Sequence, residues 1–361
     1  MKALVTGANG LVGANLVRSL VGAGHDVTGL VRPTADCSVV DGLPLRLAVG
    51  DVLAAATLED AARGQDVVFH TAVAFSYWGR EPGEIMRTAT AGSLNVLTVA
   101  ASAGVRRVVM TSSSVVLGAG YAPEVRDEET QAEDDTGESD YVLAKIAQER
   151  TTLEAAARLG VEVVFACPTM SVGSFANRLG PSNSVVTSYL ADPLRLTWAG
   201  GCNIASVGDV AAGHVLLAEH GEPGARYVLG GENLTWRDIH ATIGELAGVG
   251  PPAALASAVS CYAIAAAEEA RAQLTGRLPL ATRAQARMVG RYYWYSHARA
   301  AALGYRPRPA RTALAEALAW LAASPYVSRE TRATMRLARE VHEARRARRG
   351  DVLGLVAGDM A

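Results

Sequence analysis

The chain has 361 residues, half of them apolar and 19% charged, with a formal net charge of −2. It is too apolar for a disordered chain, and it lacks the basic field of a dedicated nucleic-acid binder. Its length suffices to bury one large core and a smaller second lobe. Of the 34 basic residues only Lys2 and Lys145 are lysine. Cys37, Cys167, Cys202 and Cys261 lie far apart with no CxxC spacing. They read as reduced thiols rather than a disulfide frame or a metal site. No charged leader precedes an apolar segment, and the longest apolar run, Pro251 to Ala267, is too short to span a membrane. The expectation is a cytoplasmic protein without a membrane span and without a metal.

Strand and helix signals alternate through the first half. Lys2–Thr6 predicts a strand, and Leu11–Val21 carries apolar residues at helical spacing. Asp26–Val31 and Pro44–Val49 predict two more strands, followed by a short helix over Leu58–Arg63 and a strand over Asp66–His70. Then come a long helix over Ile85–Ala103, a strand over Arg107–Thr111, a long helix over Tyr141–Leu159 and a strand over Val161–Ala166. Near-continuous apolar strands separated by helices imply a parallel sheet covered on both faces. The expected fold is α/β, a Rossmann-type doubly wound sheet. Beyond Pro168 the pattern loosens into a loop, a strand and helix over Asn203–Glu219, a strand at Tyr227–Leu229 and a helix from Thr235. The chain therefore divides into residues 1–167, a dinucleotide-binding unit, and 168–328, a smaller, mostly helical substrate lobe interleaved with it. An Arg-rich tail, 329–361, follows and reads as a solvated helix. Nine carboxylates between Glu124 and Asp140 read as a solvated loop, with a flap as the alternative.

The segment Thr6-Gly7-Ala8-Asn9-Gly10-Leu11-Val12-Gly13 joins the first strand to the first helix. Gly7 permits a tight turn, Gly10 lets backbone approach a pyrophosphate, and Gly13 lets helix pack close to strand. The second strand ends at Arg32, which can pair the 2′-phosphate of NADP(H), where an acid would instead bind both ribose hydroxyls of NAD(H). NADP(H) is therefore expected, with NAD(H) the alternative. Asp51 can accept from an adenine amino group or cap the turn that follows it.

Tyr141 and Lys145 lie one helical turn apart and share a face. A nearby ammonium lowers a phenol's pKa and suits it to exchange a proton with a carbonyl or alcohol. Ser112, Ser113 and Ser114 follow the strand that ends at Thr111. Glycine motif, serine strand and Tyr/Lys pair, in this order, resemble the extended short-chain dehydrogenase/reductase family, from Met1 to about Leu321. Further matching pieces are Gly50-Asp51-Val52, His70-Thr71-Ala72, Pro168-Thr169 and Asp209-Val210-Ala211. The resemblance implies Ser113 and Tyr141 as catalytic groups, and Lys145 as the residue that orients the nicotinamide ribose. It implies a cofactor site including Thr6, Thr71, Ala72, Thr111, Pro168 and Thr169, and a homodimer through the two long helices. Ala89, three residues before Gly92, stands where the sugar-nucleotide epimerases of the family carry asparagine. With Arg32, it points to the branch resembling dihydroflavonol-4-reductase, cinnamoyl-CoA reductase and 3β-hydroxysteroid dehydrogenase.

Phe75, Tyr77, Trp78, Ser114, Met170 and Ser171 follow strand ends and are the candidate substrate residues. An aromatic, apolar pocket suits a bulky ketone or aldehyde better than a sugar nucleotide. Tyr292–Tyr295 reads as a packing strand. The leading expectation is an NADP(H)-dependent oxidoreductase of a small-molecule carbonyl or alcohol. An NAD-dependent sugar-nucleotide epimerase or dehydratase and a non-catalytic NADP(H)-binding redox sensor are the alternatives.

Overall fold

The computed structural model describes residues 1–73, 78–79, 81–132, 139–277 and 279–357. Seven parallel strands make the central sheet: β1 (Lys2–Thr6), β2 (Asp26–Val31), β3 (Arg46–Val49), β4 (Val67–His70), β5 (Arg107–Thr111), β6 (Glu162–Pro168) and β7 (Arg226–Leu229). Their spatial order is β3-β2-β1-β4-β5-β6-β7. The order reverses between β1 and β4, where Thr6 lies beside His70 in register. A crevice opens at such a switch point, outside the carboxyl ends of the strands.

The inner strands are apolar on both faces because both faces are covered, whereas the edge strand β3 is largely exposed. Ala3, Val5, Phe69, Val109 and Val164 face one core together with Leu16 and Val17 of α1 (Leu11–Gly22). Leu4, Val68, Val108, Met110 and Val163 face the other, with Leu97 of α2 (Pro82–Ser102) and Ala155 of α3 (Asp140–Leu159). Burying each large side chain contributes roughly 1.5–3 kcal/mol. α4 (Val207–His220) packs beside α1, and α2 packs along α3.

Several boundaries differ from those expected. β3 begins at Arg46 rather than Pro44, since Pro44 has no N–H to donate and Leu45 turns back to the Leu43 carbonyl. α2 begins three residues early because Pro82 is pre-set for the first helical turn. After β6 the chain leaves the sheet and then comes back: α4 and β7 belong to its layers although they lie well beyond residue 167.

The second lobe has its own four-stranded sheet, built from Met170–Val172, Gly201–Ser206, Glu232–Thr235 and Tyr292–Tyr293. Helices Pro181–Ala191, Trp236–Ala247 and Ala310–Leu321 pack into one core there. The Arg-rich tail is less solvated than its composition suggests. Its helix Arg339–Ala357 buries Val341 in that core, and Arg311 bridges Glu245 and Glu340. In the acidic segment, residues 133–138 lie outside the described residues, while Glu128 is buried and accepts from the Val228 backbone N–H at 2.8 Å. That carboxylate ties the segment to β7 instead of facing water.

Candidate active site

A large cavity of about 980 Å³ runs along the carboxyl ends of the strands and into the second lobe. Its first part is framed by the glycine turn. Gly7 adopts φ +69°, and a Cβ there would lie 2.9 Å from the Ala72 Cα. A Cβ on Gly13 would lie 2.1 Å from the Gly7 carbonyl oxygen. α1 therefore approaches β1 as only glycine allows. Its N-cap, Gly10, has no side chain, so the first-turn N–H groups stay available to an anion. Asn9, Leu11, Val12, Asp51, Val52, Thr71 and Ala72 line the same stretch, with exposed Arg32 at its edge. This cradle, closed to any larger residue and open to a pyrophosphate, fits a dinucleotide.

Thr6 does not reach the cavity. It is fully buried, its hydroxyl bonded to His70 Nδ1 at 2.8 Å, while its carbonyl accepts from the Thr71 hydroxyl at 2.7 Å. It clamps β1 to β4 beneath the cavity floor, a correction to its expected contact with cofactor. Asp51 takes up the capping role: its carboxylate accepts from the Leu53 N–H at 2.8 Å while the residue also lines the cavity.

Ser113, Tyr141 and Lys145 meet midway along the cavity, with Thr111, Pro168 and Thr169 beside them. Ser139 caps α3, its hydroxyl accepting from Val142 N–H, so Tyr141 projects from the first turn. The three neighbouring serines separate by partner. Ser112 donates to the buried Glu149 carboxylate, Ser113 shares a hydrogen bond with the Tyr141 phenol, and Ser114 interacts with the Tyr295 phenol. Lys145 donates from Nζ to the Thr111 carbonyl and to Gln148 Oε1, each at 2.8 Å.

Electrostatics here are governed by burial. The Lys145 ammonium is brought down to about 8, chiefly by loss of water, against the pull of Glu149. Burial pushes the Tyr141 phenol up to about 12, offset in part by Ser113. This differs from the expectation of a phenol lowered by its lysine. The ammonium lies 5.9 Å from the phenol ring centroid and directs two of its protons elsewhere. Tyr141 is thus a protonated donor at neutral pH. His70, below the floor, is held neutral down to about 3 by burial and by the Lys145 charge.

Ser114, Met170 and Ser171 line the cavity, whereas Trp78 does not, and Phe75 and Tyr77 lie outside the described residues. The far wall comes from residues that sequence reasoning missed: Tyr189, Trp198, Trp236 and His240. His240 stacks on Tyr189 with centroids 4.9 Å apart and meets the Trp198 edge at 4.8 Å. Trp236 and His240 lie one turn apart on one helix, but Tyr189 and Trp198 come from two other elements, so no local pattern marks the wall as a whole. Tyr293 and Tyr295 pack as expected but also face the cavity. Ala89 carries no polar group and sits in a small apolar cluster with Ile85 and Ala144. Among the described residues no group of three or more His, Cys, Asp or Glu could hold a metal, and no helix is long and apolar enough to cross a membrane.

Fold and site together define an NAD(P)-dependent enzyme of the extended short-chain dehydrogenase/reductase type. The chain belongs to the NAD dependent epimerase/dehydratase family, whose model matches residues 3–230. A Synechocystis protein provisionally named dihydroflavonol 4-reductase is 30% identical over 328 residues, covering 90% of this chain and 95% of its own. Cinnamoyl-CoA reductase 1 of Oryza sativa is 33% identical over 256 residues, 67% of this chain and 75% of its own. Among solved structures, that of gox2253 superposes with a TM-score of 0.79 at 32% identity, over 90% of this chain and 99% of its own. A nucleoside-diphosphate-sugar epimerase from Pseudomonas aeruginosa superposes with a TM-score of 0.71 at 25% identity, covering 91% of this chain and 99% of its own.

Proposed function

We propose that this protein is an NADP(H)-dependent reductase of a bulky ketone or aldehyde, or the dehydrogenase of the corresponding alcohol. The observation that carries this reading is the Ser113–Tyr141–Lys145 cluster, which opens into a cavity with an aromatic far wall. Bound coenzyme supplies or accepts a hydride at its nicotinamide. The glycine turn, Asp51 and Lys145 would hold it along the strand ends, with Arg32 at the adenosine 2′-phosphate. Ser113 and Tyr141 both present hydroxyls that can hydrogen-bond one substrate oxygen. Tyr141, kept protonated by burial, delivers its proton as negative charge develops on that oxygen. The Lys145 charge lies close enough to stabilise the phenolate left behind. Tyr189, Trp198 and Trp236 line the far wall with aromatic rings that suit a bulky apolar carbonyl compound, and Arg87 and Arg178 line the same cavity.

The reductase names of the most similar relatives support this reading, and the epimerase reading keeps its structural neighbour. The two separate on the purified protein: an epimerase retains NAD through its cycle, whereas a reductase exchanges NADPH. Tyr141→Phe should lower turnover of aromatic and polycyclic ketones by about 10³-fold and leave NADPH binding within about twofold. Full turnover in that variant sinks the assignment.

A further inference from the structure

We propose that Gln148 is a positioning residue for Lys145, holding the ammonium against Thr111 and leaving one N–H directed at the cavity. This role rests on the reductase reading above, in which Lys145 serves the proton transfer. Lys145, Gln148 and Ser93 are all buried, at 2%, 1% and 0% exposure. An ammonium has three protons and no acceptor. Two of them go to the Thr111 carbonyl and to Gln148 Oε1. Lys145 also lines the cavity, so the third has that direction to take.

The amide orientation of Gln148 is set by chemistry. Because lysine only donates, the oxygen must face Nζ, and the NH₂ must face the other way. There Gln148 Nε2 donates to Ser93 Oγ at 2.8 Å, with Met110 Sδ 3.5 Å from the same nitrogen. Ser93 comes from α2 and Gln148 from α3, three residues beyond Lys145 and on the same side of that helix. The pair thus brackets the ammonium from the seam between two helices. Ala89 and its apolar neighbours offer it nothing. Among the described residues, the other titratable groups around Lys145 act at a distance or are committed. Glu149 on α3 is bound to Ser112 and Arg226, Cys167 on β6 lies deep in the core, His70 on β4 is neutral, and Tyr141 bonds Ser113. A nonpolar residue at 148 would leave a buried ammonium proton without its acceptor.

The chain's two lysines make the test direct. Full-length protein labelled with ¹³C-lysine gives two side-chain signals, from exposed Lys2 and from Lys145. In the coenzyme-free chain the Lys145 signal should titrate near pH 8. Gln148→Leu should move that midpoint down by about one pH unit, and Gln148→Glu should move it up by at least as much. The alkaline limb of the turnover profile should follow in both directions, with NADPH affinity changed less than kcat. An unmoved midpoint in Gln148→Leu overturns the proposal. Should that variant fail to fold, Ser93→Ala, which frees the amide, should give a smaller downward shift, and an unmoved midpoint there overturns it equally. The titration requires no turnover, so it is decided apart from the reductase reading, which stands or falls on Tyr141→Phe.

Discussion

Arg32 stands exposed at the end of β2, on the rim of the cavity beside the glycine turn. Its guanidinium can meet a 2′-phosphate with two parallel N–H donors, an arrangement lysine cannot copy. Arg32→Asp should weaken NADPH binding by on the order of 10²-fold and strengthen NADH binding, because a carboxylate repels the phosphate and accepts from the ribose hydroxyls. Fluorescence titration with both coenzymes checks this, and unchanged affinities remove Arg32 from the site. At the same scale, the serines show where a motif stops informing. Ser112, Ser113 and Ser114 are chemically alike, yet one answers Glu149, one Tyr141 and one Tyr295. The family resemblance pointed to Ser113; the neighbours brought in by α3 and the second lobe show how its surroundings differ from those of the other two.

α1 meets the sheet through Gly13, whose missing side chain lets the helix rest on the Gly7 carbonyl. The two nearest atoms that a Cβ would meet there are backbone and cannot yield as a flexible side chain would. Gly13→Ala should therefore lift α1 away from β1, lowering stability by about 2 kcal/mol and coenzyme affinity by at least tenfold. Urea unfolding and coenzyme titration measure the two effects, and wild-type values for both would show that the turn tolerates a methyl group. The span of α3 was legible to within one residue from the helix expected over Tyr141–Leu159, and the structure adds that Ser139 caps its start while Gly160, at φ +69°, closes it. The early start of α2 was less so, because the helical spacing of its apolar residues says nothing about the turn that Pro82 begins.

Across the whole molecule, three histidines are buried in neutral form. His70 is held down to about 3, and His214 and His240 to about 4, each chiefly by burial. Unfolded, each would titrate near 6.5. Between these values the unfolded chain binds more protons, so stability is full above pH 6.5 and is lost as pH falls toward 4. His214, on α4, hydrogen-bonds the Thr111 hydroxyl, and His240 lies in the far cavity wall, so both places should feel the loss. The urea midpoint should fall steeply between pH 6.5 and 4.5; a flat profile over that range would contradict neutral burial.

The sequence by itself determined what depends on near neighbours along the chain. Strand and helix periodicity, the turn that only glycine permits, and the one-turn spacing of Tyr141 and Lys145 are set by local backbone geometry. They were sufficient for the parallel sheet and the nucleotide turn. Tertiary structure alone decided the contacts between distant segments: β7 beside β6, the aromatic wall, Thr6 turned away from the cavity, and Ser93 with Gln148 behind Lys145. Residues 93 and 148 become neighbours only when both long helices cover one face of the sheet. Packing of that kind leaves no period in the sequence, because each partner sits in an ordinary helical pattern of its own. The near absence of lysine was visible from composition, while the reason one ammonium suits position 145 emerged from the carbonyl and amide that hold it.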